Sequence, residues 1–501
     1  MALARFKPLP RAILGTLSLS GLLCGCTVGP RYAPPAVSTA ADKGFAASTT
    51  KIASSDAPPP DWWRLYNVPA LDSLVQEALV HNKNLLMAAA NLAYARDALS
   101  QARAGRYPST QLTAGGQYGI TSLGQVESQI EHGRAASSSG YYTGGLDVSY
   151  EVDLFGQIHR AVQAAAANVQ AVQAAEDVTR ISVAAETTRA YVNACAYAQE
   201  LGVAQQSLDL VTQTYQVTLK EAEAGAASDF DVARARALVE QTRATLPAYE
   251  GERRTALFEL AVLTGQPPEA ISEAADACKA PPQLSSVLPV GDGRSLLRRR
   301  PDVRQAEREL ASDVPRIGVA TANLYPTITL GASGASSAVT LAGMASQKAL
   351  TYGLGPLLTW NFPNTAIAQA QILEARATAS AAYANFQATV LQALQDTEEA
   401  LTAYGSELDR NGALKASRDQ SEIAFHLAQV RYRDGDASYL DLISAETDLV
   451  NASAALAASG QALASDQVTV FKALGGGWEQ APAVEPLPIT DGRNGKQIRV
   501  H

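Results

Sequence analysis

The sequence predicts an α+β membrane protein: a transmembrane β-barrel assembled from several copies of the chain, continuing into a long α-helical, coiled-coil-like barrel. Three observations carry this expectation. Four short segments alternate between apolar or small and mostly polar side chains, two proline-free helical runs are far longer than a globular helix, and the turn residues of the first half recur in the second at a constant offset of 210 residues. Period two over about ten residues marks a strand with one greasy and one wet face.

The chain opens on an export signal, assigned to residues 1–25. Arg5, Lys7 and Arg11 precede an apolar run from Ala12 to Leu23 that is too short to span a bilayer as a mature helix. It ends in Leu23-Cys24-Gly25-Cys26, which resembles the lipobox of bacterial lipoproteins and marks Cys26 as the acylated new N-terminus; Cys24 is the competing choice, without a small residue before the cut. Thr27 follows where the inner-membrane retention signal would place aspartate. Residues 26–66 then form an N-terminal arm.

Composition fits long helices better than a thick core. The chain is 47% hydrophobic but only 6% aromatic, so its apolar content is largely alanine, which permits close helix–helix approach. A formal charge of −9 argues against a nucleic-acid partner. Of the remaining cysteines, Cys195 reads as a small buried apolar group on a helix and Cys278 as a connector residue. A disulfide between them is the less favoured alternative in an oxidising compartment.

The first repeat is assigned to residues 67–280 and the second to 281–474. In the first, Leu112, Ala114, Gly116, Tyr118 and Ile120 alternate with polar or small residues over 109–120. Over 141–154, Tyr142, Leu146, Val148, Tyr150, Val152 and Leu154 alternate with Thr143, Asp147, Ser149, Glu151 and Asp153. The second repeat has matching segments at 326–335 and 351–362. A soluble sandwich would show the same alternation; tyrosine and tryptophan near strand ends and acidic residues on the polar face favour the barrel. Asp147, Glu151 and Asp153 are thereby expected to face a lumen and to favour cations.

Gly156 to Ala222 and Thr365 to Arg433 contain no proline. Each would be on the order of 100 Å long as a continuous helix. Each is followed by a turn: Gly225, Ser228, Asp231 and Val232 recur as Gly435, Ser438, Asp441 and Leu442. Glycine suits a helix C-terminus at positive φ and serine the N-cap of the returning helix. Residues 475–501 read as a polar tail without a motif.

The strand count forces an assembly. Four strands cannot close a barrel, and an open edge in lipid leaves backbone groups unpaired at several kcal/mol each. Three chains give twelve strands, an even number wide enough for an aqueous lumen; two give eight, a bore normally filled by side chains. A homotrimer is the expected state.

Several motifs, in order, resemble the outer membrane factors of the TolC type, in the NodT-like lipoprotein branch that serves resistance-nodulation-division efflux systems. They are Cys26-Thr27-Val28-Gly29-Pro30-Arg31-Tyr32, then Trp62-Trp63. The block from Leu297 through Arg300-Pro301-Asp302-Val303-Arg304-Gln305-Ala306-Glu307 to Tyr325-Pro326 follows, and Ala473-Leu474-Gly475-Gly476-Gly477-Trp478 completes the set. The resemblance implies a trimeric outer-membrane exit duct for small molecules, with an α-helical tunnel across the periplasm. It also implies a periplasmic adaptor and an inner-membrane transporter as partners, and it places Asp441 at the family's constricting aspartate. Asp231 is its repeat partner, and Tyr432 and Arg433 are candidates to tether the closed tips. Gly225, Ser228, Gly435 and Ser438 are candidates to dock the adaptor. Pro315 departs from the family pattern and is expected to kink its helix.

Nothing in the sequence suggests catalysis or a cofactor. The five histidines are scattered, and no phosphate loop, dinucleotide fingerprint or serine elbow is present. Two other readings remain: the exit duct of a type I protein secretion system, and a lipid-anchored structural coiled coil of the periplasm.

Overall fold

The computed structural model describes residues 27–36, 44–47, 52–120, 130, 138–284, 287–363 and 365–485, with the backbone of 489–490 and 497–498. The export signal and Cys26 lie outside the described residues. The chain divides into two compact units, one from Met1–Pro35, Tyr94–Gln170 and Glu307–Asn385, the other from Ala36–Ala93, Ala171–Ala306 and Phe386–His501. Each unit therefore draws on both sequence repeats.

The main elements are helices α1 (Pro69–His81) and α2 (Lys83–Ala104), strands β1 (Ser109–Gly119) and β2 (Ser139–Val152), and helices α3 (Gln157–Glu223), α4 (Asp229–Arg243) and α5 (Leu246–Leu263). After a connector come α6 (Pro301–Ala322), β3 (Thr327–Ala338), β4 (Leu350–Thr359), α7 (Ala366–Arg433) and α8 (Tyr439–Ala473). Helix α6 runs through Pro315; the proline withholds one ladder donor, the N–H that would meet the carbonyl of Ala311, without ending the helix.

The first unit holds an antiparallel sheet in the order β1-β2-β3-β4. Where the strands give way to helices, aromatic rings gather. Phe155 stacks on Tyr325 at 4.4 Å and Trp360 on Phe362 at 4.7 Å, while the Trp360 indole donates to the carbonyl of Leu324.

The second unit contains the principal apolar core. Trp62 lies flat on Phe471, with centroids 4.7 Å apart, and Trp63 meets Trp62 edge-on. Leu71, Val75, Leu79, Leu296 and Leu474 are buried around them. A short parallel pairing of Ala53–Ser54 with Leu288–Pro289 joins the N-terminal arm to the inter-repeat connector. Arg300, at the start of the Arg-Pro-Asp block, bonds both Asp302 and Asp396 and donates to the carbonyls of Ala393 and Ala473. Arg304 pairs with Asp177 and lies over the Trp478 ring. The motifs around Arg300 and Trp478 therefore form a single structural knot.

The cysteines correct the sequence reading. Cys195 and Cys278 are joined in a disulfide, with Cα atoms 5.1 Å apart and a sequence separation of 83. Cys195 is indeed fully buried, but its helix presents it to the connector that carries Cys278, a proximity that helical periodicity does not encode. The chain-entropy argument assigns such a loop about 4.5 kcal/mol. Cys278→Ser should lower the thermal unfolding midpoint under oxidising conditions, and adding reductant to the wild type should reproduce the shift. Identical midpoints for wild type and variant would mean that the bridge adds nothing to stability.

Candidate channel wall and helix tips

The register of the sheet sorts its side chains onto two faces, because residues directly opposite one another in antiparallel strands point the same way. Leu112 lies opposite Leu146, and Val148 opposite Ala332, which in turn faces Leu354; Tyr150 faces Leu330, and Val152 faces Ile328, which faces Leu358. One face is thus predominantly apolar, interrupted by Thr110 and Ser336. It is also bare: Leu112 is 82% exposed, and Tyr352 and Leu354 are each 88% exposed. On the other face Gln111 lies opposite Asp147, Asp147 opposite Ser333, and Glu151 opposite Thr329. Asp147 and Glu151 therefore share the polar face.

Among the described residues no helix is long and apolar enough to cross a membrane. Among the described residues each outer strand, β1 and β4, has a neighbour on one side only.

The two helix turns are built alike. At the first, the N–H of Gly225 donates to Ala222 O (2.9 Å) and that of Ala226 to Glu221 O (2.7 Å). At the second, Gly435 donates to Tyr432 O (3.1 Å) and Asp436 to Arg431 O (2.8 Å). This pairing is the Schellman closure, and it needs the left-handed backbone that Gly225 (φ 75) and Gly435 (φ 80) supply. A Cβ on either glycine would meet nothing within 4 Å, so φ and not space selects glycine.

Ser228 and Ser438 then cap α4 and α8 in full capping boxes. The Asp231 and Asp441 N–H groups donate to the serine hydroxyls, and each aspartate Oδ2 accepts from the N–H and hydroxyl of its serine. The Ser438 hydrogen bonds hold the Asp441 carboxyl below its ordinary pKa. Both aspartates thus lie in the first turn of their helices at matching positions.

Above the second turn, the Tyr432 hydroxyl donates to Glu221 Oε2 at 2.6 Å, linking α7 to α3. Its ring meets Tyr439 edge-on at 5.9 Å, beside buried Ala235 and Ile443. Further along, Thr214 donates to the buried carboxylate of Glu446 (2.6 Å), Gln461 to Asn193 (3.0 Å) and Lys472 to Glu186 (2.7 Å). Between Glu186 and Thr214, helix α3 is therefore laced to α8, and near the turn to α7. Arg433 is exposed and stands outside this linkage.

A family model described as Outer membrane efflux protein matches residues 74–266 and 293–476 of this chain. The chain belongs to the outer membrane efflux protein family. Nodulation protein T of Rhizobium leguminosarum bv. viciae is 30% identical over 465 residues, spanning 93% of each chain. The probable efflux pump outer membrane protein TtgC of Pseudomonas putida is 28% identical, covering 93% of this chain and 96% of its own. Among solved structures, the outer-membrane channel OprN superposes with a TM-score of 0.81 at 30% identity, over 90% of this chain and 100% of that one.

In this outer membrane efflux protein one site residue departs from the sequence reading. Strand β2 ends at Val152, so Asp153 lies beyond the polar face. Its carboxylate accepts from the N–H groups of Ile158 (3.1 Å) and His159 (2.7 Å), at the start of α3. Alternation carried one residue too far: an aspartate after a strand and before a helix serves the helix's orphan donors.

Two features went unread in the sequence. Glu221, the acceptor for Tyr432, has no local signature, since its partner is 211 residues away. Phe230 and Leu440 are both exposed, at 71% and 52%, one residue before Asp231 and Asp441. The 210-residue offset would have paired them, had it been applied to apolar as well as turn residues.

Proposed function

We propose that three copies of this chain form a twelve-stranded barrel in the outer membrane, open to an α-helical duct below. The duct would be the exit of a tripartite efflux pump, conducting small molecules passively. The observation that supports this most directly is the four-stranded sheet, with one bare apolar face, one polar face and two single-sided edges. Such edges cannot stay unpaired in hydrocarbon, and joining β4 of one copy to β1 of the next satisfies both.

In this reading Cys26 is acylated and adds to an anchorage that the barrel already provides. Asp147 and Glu151 line the lumen, where tripling them favours cations. The turns at Gly225–Ser228 and Gly435–Ser438 meet a periplasmic adaptor, and an inner-membrane transporter of the resistance-nodulation-division type supplies the energy. Asp441 forms an anionic ring at the constriction, with Asp231 as its repeat counterpart, and Tyr432 restrains the closed state.

The test must separate charge from capping, because Asp441 also closes a capping box. In planar bilayers, Asp441→Ala should raise single-channel conductance, while Ser438→Ala, which removes the cap hydroxyl but keeps the carboxylate, should not. Equal rises in both variants would assign the effect to helix fraying and remove Asp441 from the gate. A preparation that neither conducts nor runs as a heat-modifiable species in SDS would overturn the channel itself.

A further inference from the structure

The first unit contains a cleft that none of the roles above uses. It has a volume of about 560 Å³ and is lined by Arg31, Tyr32, His159, Arg160 and Arg308, among others. Three arginines line it, and no carboxylate does among the described residues. Arg308 is balanced by Glu307, which also accepts from the Tyr32 hydroxyl. Neither Arg31 nor Arg160 forms an ion pair among the described residues; the partners of Arg160 are neutral, namely Val28 O, Gly29 O and Gln163 Oε1.

The cleft is rigidly built. Arg160 is 5% exposed. Gly29, at φ 86, brings the N-terminal arm against Gly318 of α6 so closely that a Cβ on Gly29 would lie 2.4 Å from the Gly318 Cα. A Cβ on Gly318 would in turn press on Arg160 Cγ at 2.9 Å. Burial, and secondly the nearby Arg31 charge, pull the Arg160 pKa below its ordinary value. Two cations held together without a counter-charge are costly unless an anion joins them.

Its position suggests which anion. Arg160 lies in the first turn of α3, just past the end of β2, and the Val28 N–H bonds Phe155 O (3.1 Å). Phe155 stacks on Tyr325, in the aromatic zone at the strand ends. Rings at this level mark the headgroup region of a bilayer. Thr27, the residue after the acylation candidate, packs against Gly156 and itself lines the cleft.

We infer that this cleft binds the phosphate of an anionic phospholipid in the adjoining leaflet, with Arg31 and Arg160 as the principal donors. Guanidinium groups match phosphate oxygens in geometry as well as charge, and basic pockets at membrane level are suited to such headgroups. The inference rests on the reading that the sheet spans the membrane, but it assigns a ligand that the exported cargo does not explain.

The test uses the full-length protein, delipidated in detergent and titrated with dioleoylphosphatidylglycerol, with dioleoylphosphatidylcholine or with inorganic phosphate. Retained lipid is counted by native mass spectrometry. Wild type should retain phosphatidylglycerol about tenfold more strongly than phosphatidylcholine. Arg31→Gln should weaken that preference and Arg31→Glu abolish it; Arg31 is exposed, so both variants should fold. Equal retention of the two lipids by wild type, or an unchanged preference in Arg31→Glu, would overturn the proposal. Displacement of phosphatidylglycerol by millimolar inorganic phosphate would reassign the cleft to a free anion and overturn the lipid source. Bilayer conductance of the same preparations reports separately on the channel reading.

Discussion

Tyr432→Phe should shift the duct strongly towards its open state, with unchanged ion selectivity. The substitution keeps the ring against Tyr439 and removes only the hydroxyl that donates to Glu221 at 2.6 Å. A net hydrogen bond at a half-exposed site is worth about 1 kcal/mol. Three copies acting on one gate would total about 3 kcal/mol, or roughly 100-fold in the ratio of open to closed. Open probability in planar bilayers measures this directly. Glu221→Gln keeps an acceptor and should open the channel less. An open probability equal to wild type in Tyr432→Phe would show that the link between α7 and α3 carries no gating energy.

The same link makes a statement about pH. Burial first, then the Glu221 hydrogen bond and charge, raise the Tyr432 pKa above its ordinary value of 10.0. A raised folded-state pKa contributes stability that is complete below the unfolded value and lost as pH rises through the folded one. The latch should therefore stay intact up to about pH 10, and tyrosine ionisation should open the channel only at higher alkalinity.

Arg300→Ala should be the most destabilising single substitution in the second unit. The side chain is 11% exposed and ion-pairs with Asp302 (2.6 Å) and Asp396 (2.9 Å) while donating to the Ala473 carbonyl. Removing one partner of a buried charge network leaves the others uncompensated, typically at 3–5 kcal/mol, so a loss of about 4 kcal/mol is expected. Gly475 shares the consequence, since a Cβ there would lie 2.8 Å from Arg300 Cγ. Arg300→Lys should not restore stability, because a single ammonium cannot serve two carboxylates and two carbonyls in the guanidinium geometry. Thermal unfolding midpoints and the yield of assembled protein measure both variants. An Arg300→Ala protein with the wild-type midpoint would mean that the Arg-Pro-Asp block is maintained for something other than stability.

Much of the architecture was legible because it depends on local rules. Asp147 and Glu151 were placed on the polar face by alternation, and the sheet register keeps them there. Gly225 and Gly435 were readable because a left-handed helix end excludes most side chains, and Ser228 and Ser438 because a cap must accept from the next turn. Asp153 failed for the same kind of reason: alternation says nothing about where a strand stops, and a helix start nearby claimed its carboxylate.

By itself, then, the sequence determined the strands, the long helices and the turns between them. Each follows from a period or a φ requirement, and both are properties of contiguous residues. Tertiary structure alone decided that Cys195 meets Cys278, that Tyr432 meets Glu221, that Arg300 gathers Asp302 and Asp396, and that Arg31 and Arg160 face one cleft. Most of these partners lie tens to hundreds of residues apart, and no periodicity relates them. What relates them is tertiary packing of helices, connector and N-terminal arm, where burial makes an unpaired charge or donor costly.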